Sequence, residues 1–491
     1  MSKRLSTTED LPGDVAVPGY RPQDHGTGIV HLGLGAFARA HLAAITDAAL
    51  ASGGGDWRIL GVSLRSARPA DELTPQNGLY TLIERDGHGA RARIIGALSG
   101  AICSADDSDP ALEAMVDPSC RIVTLTVTEK AYGLDRATRG CDPAHPAVAA
   151  DLVNPDRPHG VLGLLVRALG MRKDRGLPPF TVLCCDNLPE NGPLLRGAVL
   201  DFAGRVSPDL AQWIAAEAAF PATMVDRITP APTDETRVEA ERLTGCTDLA
   251  AIETEAFLQW VIEDNFPLGR PAWEAGGALF VADVAPYEEM KLRMLNGSHS
   301  LLAYAGFHAG KRYVRDVMAD PALAALVRRH LDAAAGTLPS LPGIDLADYA
   351  EALVARFSNP AIAHETFQIA MDGSEKMPQR IFAAVPQARS KGADIRSFAF
   401  ATAAWLRHAS GAMHDCEPYA LRDPRAEALT AAFRDKSAEA IIAAVPVLGI
   451  ATPDLIEDAA FWQVVQSILA EMLSHPMHEV IEREAAASPS S

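Results

Sequence analysis

The chain has 491 residues, 48% of them hydrophobic and 22% charged, with a formal net charge of -19 at pH 7. That length exceeds one ordinary core, so two or three domains are expected. The charge argues against a nucleic-acid partner and against an anionic membrane surface, while leaving room for a local basic pocket that takes a small anion. No run of about 18 apolar residues occurs, so no membrane span is expected. Met1 to Arg4 is basic, but no apolar stretch follows before Gly28, and no secretory signal is expected. Seven cysteines include no CxxC pair, and the adjacent Cys184 and Cys185 are poor disulfide partners. Such usage fits reduced thiols in a cytoplasm. The composition is that of a soluble, cytoplasmic, globular protein.

Residues 1 to about 27 are polar and carry Pro and Gly, and read as an arm before the first structured element. Strand-type apolar runs follow at Ile29–Leu34, Ile59–Leu64, Ile122–Val127, Phe180–Cys185 and Thr223–Ile228, with Leu279–Val284 as a weaker candidate. Ala/Leu-rich helical stretches such as His41–Ala51 and Gly160–Arg172 lie between them. Continuous apolar strands interleaved with helices predict a parallel sheet covered on both faces. Loops rich in Pro, Asp and Asn follow several strands, notably Asp186–Gly192 and Arg227–Thr236, and ligands sit at such strand ends in open α/β sheets. Beyond about Pro286 helical periodicity dominates, as in Met290–His308, Pro321–Ala335, Ile395–His408 and Asp423–Ala444. Helix breaks are expected at Thr337–Gly343 and Ser358–Pro360. The expected fold is α/β: a Rossmann-like N-terminal domain over residues 1–285, with its arm, and a mostly α-helical C-terminal domain over 286–491. An Ala/Ser tail begins at Ala485.

The stretch after the first strand contains GxGxxA at Gly33, Gly35 and Ala38. Gly33 permits a tight turn, Gly35 lets backbone approach a pyrophosphate, and Ala38 keeps the next helix close to the strand. Ala36 and Phe37 open that helix and join the candidate cofactor-binding residues. A lone GxGxxA is a weak signal; here a strand precedes it and a helix follows, which is the required context. The second strand should end in an acid that reads a ribose. It is instead followed by Arg65, Ser66, Ala67 and Arg68, with no acid until Asp71. Arg65 and Arg68 could accept a 2′-phosphate and thus NADP, or be solvated loop charges.

Lys291, Asn296 and His299 stand at i, i+5 and i+8 of one predicted helix. At about 100° per residue they fall within an arc of roughly 140°. Alcohol oxidation needs a base for the hydroxyl proton while hydride leaves the same carbon. A lysine serves if burial or a nearby cation brings its pKa down from about 10.4. Asparagine amides can donate to the developing alkoxide, and an imidazole can orient the substrate oxygen. From spacing alone, a solvated face or satisfied caps is the commoner meaning of such a trio.

The segments GLGAFARAH (33–41), SLR (63–65), TLTVTEKAYG (124–133), CDNLPENG (185–192), TMVDRITP (223–230), EDNFPLGRPAW (263–273), KLRMLNGSH (291–299), RFSNP (356–360) and MDGSEKMPQR (371–380) occur in one order along the chain. Together they resemble the mannitol dehydrogenase family, the polyol-specific long-chain dehydrogenase/reductases. The resemblance implies a Rossmann-type domain, a helical domain and no catalytic zinc; no HExxH or Cys-rich metal spacing is present. It implies a general acid/base at Lys291, an oxyanion clamp of Asn187 and Asn296, and a substrate-orienting His299. Glu129, Asp226 and Glu288 match acidic positions lining the family's site and its proton path; Glu129 and Asn187 also lie on its cofactor side. Lys376 matches a substrate-side lysine. It further implies a small-molecule carbohydrate substrate, and a monomer or small homo-oligomer.

The substrate is read from one position. Mannitol 2-dehydrogenases of the family tend to carry arginine where this chain has Gln368, and QIAMDGS-x-K-x-PQR looks like the fructuronate reductase branch. That branch interconverts D-fructuronate and D-mannonate, and Arg380 or Lys376 could pair with the carboxylate. Arg380 could instead cap a helix or pair with Glu375. A neutral polyol/ketose pair, as in mannitol 2-dehydrogenase, is the alternative. The family favours NAD, while Ala67 and Arg68 leave NADP open. A nucleotide-binding regulator without chemistry is the competing class; the intact set Asn187, Lys291, Asn296 and His299 speaks against it.

Overall fold

The computed structural model describes residues 2–87, 89–411 and 419–487. Cys416 and the last four residues of the Ala/Ser tail lie outside them. The chain forms two compact units, Met1–Ala285 and Pro286–Ser491.

The first unit is built on a five-stranded parallel sheet. Its spatial order is Leu98–Cys103, Arg58–Ser63, Thr27–Leu32, Ile122–Leu125 and Thr181–Cys184. The order reverses at the central strand Thr27–Leu32, and such a switch point is where doubly wound sheets bind ligands. Side chains alternate between faces. Val30, Leu32, Val123, Leu125 and Val182 join one core with Leu164, Leu165, Val199 and Phe202. Ile29, Ile59, Ile122 and Leu183 join another with Ile45, Leu50, Trp260 and Trp273. Burial on both faces explains why these strands read as continuous apolar runs.

Two expected strands do not enter this sheet. Thr223–Asp226 pairs antiparallel with Gln259–Glu263, which pairs in parallel with Ala278–Val281. The Val182 amide bonds Ala219 O at 3.0 Å, so the segment before Thr223 already occupies the edge. A third sheet joins Ile252–Glu255 to the hairpin Tyr80–Asp86 and Gly89–Ile95. The N-terminal arm is not free-standing. Leu5 is buried and its amide bonds Thr247 O, while Ala16 exchanges hydrogen bonds with Ala92 and Ile94; apolar Leu5 and Val15 supply the packing that the polar composition hid.

The second unit is helical among the described residues, apart from isolated bridges. Gly297–His308 is its spine, buried on nearly every side against Pro321–Thr337 and Arg396–Ala409, as expected of a helix apolar all round. Asp345 starts Leu346–Phe357 by accepting the Ala347 and Asp348 amides. The expected helix Asp423–Ala444 is two helices, Ala426–Ala432 and Ala438–Leu448, the second capped by Ser437. The expected helix Met290–His308 is corrected in its winding. Ala285–Met290 is α-helical, Lys291–Asn296 is a π-helix, and Gly297–His308 returns to α. No helix among the described residues is long and apolar enough to cross a membrane.

Candidate functional site

In the first unit the glycine loop leaves the central strand at Gly33, whose φ is +98°. Its amide bonds Val62 O at 2.9 Å and its carbonyl accepts from Thr126 Oγ1 at 3.0 Å. A Cβ at Gly33 would stand 2.2 Å from Thr126 O, so two neighbouring strands close over it. Gly35 is the opposite case. Exposed, with φ −96°, it would offer a Cβ nothing nearer than Gly33 O at 3.8 Å. The space above Gly35 is therefore a cradle that a side chain would fill, as close approach of a pyrophosphate requires. Ala36 and Phe37 are half-buried and Ala38 is buried. The helix they open runs only Ala36–Ala40 before a break at His41, then resumes as Leu42–Gly53. Cross-links hold the break: His41 Nε2 lies 3.0 Å from Gln259 O, and Tyr80 Oη donates to Arg39 O at 2.6 Å.

His31, the penultimate residue of the central strand, carries no sequence signal of its own. It is fully buried, with Nδ1 2.8 Å from Thr124 Oγ1 and Nε2 2.9 Å from Thr126 Oγ1 and 3.2 Å from Gly33 O. Burial depresses its pKa to about 4, partly opposed by the Gly33 carbonyl. The unfolded chain takes this proton below about 6.5 and the folded chain only near 4, so stability is complete above 6.5 and falls as pH drops. The loss is at most about 1.4 kcal/mol per pH unit for one histidine. Urea denaturation at pH 7.5 and pH 5 is expected to show a lower midpoint in acid. A His31→Gln variant is expected to start lower and lose less; equal loss in both proteins overturns this assignment.

The remaining first-unit candidates lie on loops at strand ends. Arg65 is exposed and makes no hydrogen bond or ion pair among the described residues. Arg68 is held by Glu72 at 2.8 Å. Glu129 is exposed and paired with Arg136. Asn187 is exposed on the loop after Thr181–Cys184. Two residues set that loop. Asp186 accepts from the Val127 amide at 2.8 Å and Tyr132 Oη at 2.7 Å, and its burial raises the carboxyl's pKa against those donors. Asn191, fully buried, donates to Thr223 O at 2.9 Å and accepts the Thr223 amide at 2.9 Å. Asp226 is buried at the end of Thr223–Asp226. Left-handed backbone occurs at the non-glycine residues Thr128, Glu190 and Asp372, inside the TEK, NLPENG and MDGS segments. A β-branched residue at φ +73° is strained, and such strain gathers at functional loops.

In the second unit, Glu288, Lys291, Asn296 and His299 are the half-buried polar positions of a largely buried helical run. The π-turn changes their alignment. With i→i+5 winding, Asn296 lies roughly above Lys291 rather than about 140° around the helix. His299, three α-residues on, closes the trio to an arc of roughly 60°. The His299 ring meets Phe357 at 4.8 Å and His364 at 5.5 Å. Burial, and then His364, Arg356, Arg380 and Lys376, hold its pKa well below the usual histidine range. It is thus neutral at pH 7 and can donate one N–H.

Arg380 donates to Asn296 O and Ser300 Oγ, both at 3.4 Å, and makes no ion pair with Glu375 or any other acid among the described residues. Lys376 donates to Met371 O at 2.6 Å and stands 3.8 Å from Asp372; burial, and then Arg380, lower its pKa. Gln368 is exposed on the short helix Thr366–Ile369. Arg293 faces away from the trio, buried against Thr337 and Glu289. His364 and Arg356 were missed in the sequence: His364 lies in a segment without a motif of its own, and Arg356, though it opens RFSNP, stands too far along the chain from His299 for the sequence to bring the two together. No group of three or more His, Cys, Asp or Glu side chains among the described residues could hold a metal ion.

A switch-point glycine turn on a doubly wound sheet, with a lysine–asparagine–histidine trio on a separate helical unit, defines a Rossmann-type oxidoreductase. Family models agree. The mannitol dehydrogenase Rossmann domain matches residues 27–275, and the mannitol dehydrogenase C-terminal domain matches 283–473. The chain belongs to the mannitol dehydrogenase family. It is 43% identical to the "uncharacterized oxidoreductase YeiQ" of Escherichia coli (strain K12) over 96% of this chain and 97% of that protein. It is 41% identical to the D-mannonate oxidoreductase of the same organism over 97% and 99%. Among solved structures, the Pseudomonas fluorescens mannitol 2-dehydrogenase in ternary complex with NAD and D-mannitol is 35% identical, with a TM-score of 0.80 over 99% of this chain and all of that one.

Proposed function

We propose that this chain is a nicotinamide-dependent oxidoreductase that interconverts D-fructuronate and D-mannonate. The observation that carries the substrate is the basic cluster around His299. In a chain of net charge -19, Arg380, Lys376 and Arg356 all act on one imidazole, and Arg380 has no acidic partner among the described residues. A neutral polyol has no need of that charge, whereas a hexuronate brings a carboxylate to it. The likeness to D-mannonate oxidoreductase agrees. The second reading, a polyol/ketose pair, is favoured by the D-mannitol bound in the Pseudomonas fluorescens neighbour.

The Gly33–Phe37 loop would hold the pyrophosphate over Gly35. A nicotinamide bound there supplies the hydride chemistry. In the oxidative direction unprotonated Lys291 Nζ takes the hydroxyl proton as the carbon–hydrogen bond breaks, and it returns that proton in reduction. The Asn296 amide donates to the oxygen as charge develops on it, and Asn187 is assigned the same role. Neutral His299 orients that oxygen. Arg380 and Lys376 hold the carboxylate, and Asp226, Glu288 and Gln368 are further assigned to the substrate side, with Glu129 on the cofactor side. NAD is the proposed cofactor, because Glu72 engages Arg68 and leaves Arg65 as the cation that NADPH use would require.

The test is consumption of NADH and NADPH with D-fructuronate and D-fructose in parallel. Fructuronate with NADH is expected to give the highest kcat/KM. Arg380→Met is expected to lower that value by about 10²-fold, the cost of stranding one partner of a buried charge pair, with a smaller loss on fructose. Fructose turnover equal to or above that of fructuronate overturns the hexuronate reading in favour of the polyol one.

A further inference from the structure

We propose that Gly297 is a positioning residue: it allows the Lys291–Asn296 turn to wind with i→i+5 hydrogen bonds, and that winding stacks Asn296 on Lys291. The inference rests on the assignment of Lys291 and Asn296 to the reacting oxygen and adds what aligns them. The Gly297 amide reaches back five residues to Leu292 O and is shared with Met294 O, three residues back. Its φ of −62° and ψ of −49° are ordinary helical values, so glycine is not there for conformational freedom. Glycine inside a helix is unfavourable relative to alanine, which points to space as the reason.

Space is what the surroundings deny. A Cβ on Gly297 would stand 2.9 Å from His330 Nε2, 3.1 Å from Arg380 O and 3.6 Å from Ile381 Cδ1. Neither close neighbour yields easily. His330 is fully buried, with Nδ1 3.0 Å from Ser397 Oγ and its ring edge-on to Phe398 at 5.2 Å. Its Nε2 faces the glycine with no hydrogen-bond partner among the described residues. Arg380 is tied to the same turn through Asn296 O and Ser300 Oγ. The π-turn is wider than an α-turn, and the missing side chain lets the next residue seat between His330 and Arg380. With a side chain at 297 the helix must move off that seat. Winding as α would then carry Asn296 about 140° from Lys291.

The test is a cycle of Gly297→Ala, His330→Ala and the double variant, with kcat expressed per NADH-binding site so that misfolded protein does not count. Gly297→Ala is expected to lose about 10²-fold in kcat, the effect of a displacement of about 1 Å at a reacting group, with KM changed less than about threefold. Adding His330→Ala is expected to restore at least tenfold of it. A single variant within about threefold of wild-type kcat, or a loss unmoved by removing the His330 ring, overturns the inference. If Gly297→Ala does not fold, the double variant is compared with His330→Ala, where the Arg380 O contact predicts a remaining loss of at least threefold and equality overturns it. Asn296→Ala is measured alongside. Its full activity would overturn the site assignment and this inference together, whereas its loss beside an active Gly297→Ala would overturn this inference alone.

Discussion

Lys291→Ala is expected to lower kcat near neutral pH by about 10³-fold, within the range that a positioned acid or base contributes. The loss should fall on the chemical step. Lys291 stands in the second unit, on a helix with no part in the Gly33–Phe37 loop, so NADH binding by fluorescence titration should be unchanged. Substrate KM should move little, because the proton is transferred only in the transition state. Small primary amines added to the assay should restore part of the rate if the deleted group acts as a proton carrier. A variant that keeps kcat within about threefold of wild type would show that Lys291 is not the base, and the trio would then be a half-buried polar face.

The second large effect is expected at the glycine loop, where two neighbouring positions should fail in different ways. Gly33→Ala places a Cβ 2.2 Å from Thr126 O and 2.8 Å from Val127 Cγ1, at a φ of +98°. The backbone there cannot retreat without breaking its bonds to Val62 and Thr126. A folding loss of about 3 kcal/mol is expected, together with weakened cofactor binding. Gly35→Ala meets no atom nearer than 3.8 Å and has an allowed φ, so its Tm should match wild type within a few degrees. Its NADH affinity should nonetheless fall at least tenfold, because the methyl occupies the space assigned to pyrophosphate. Thermal denaturation and NADH titration of both variants decide the matter. Unchanged NADH affinity in Gly35→Ala would remove the loop from the cofactor site.

What the sequence by itself determined is local. The strand-to-helix context of the GxGxxA turn, the apolar runs of four strands of the central sheet and the helical texture beyond Pro286 follow from short-range periodicity, which a side-chain pattern records directly. The family motifs also picked out Lys291, Asn296 and His299 as a set. The fifth strand, Leu98–Cys103, was hidden because Ser99 and Gly100 interrupt its apolar run. The hairpin Tyr80–Asp86 and Gly89–Ile95 was hidden by the charges of its tip. The left-handed backbone at Thr128, Glu190 and Asp372 was illegible because none is glycine, and surrounding hydrogen bonds rather than intrinsic preference hold such conformations. Only the tertiary structure decided how the trio aligns and what surrounds it. A 3.6-residue period assumes every turn is α, so it cannot foresee that packing at Gly297 against His330 and Arg380 accompanies one turn of i→i+5 winding. The basic cluster of Arg356, Lys376 and Arg380 comes from segments between 65 and 89 residues beyond Lys291 in number, and long-range packing alone brings their charges to bear on His299.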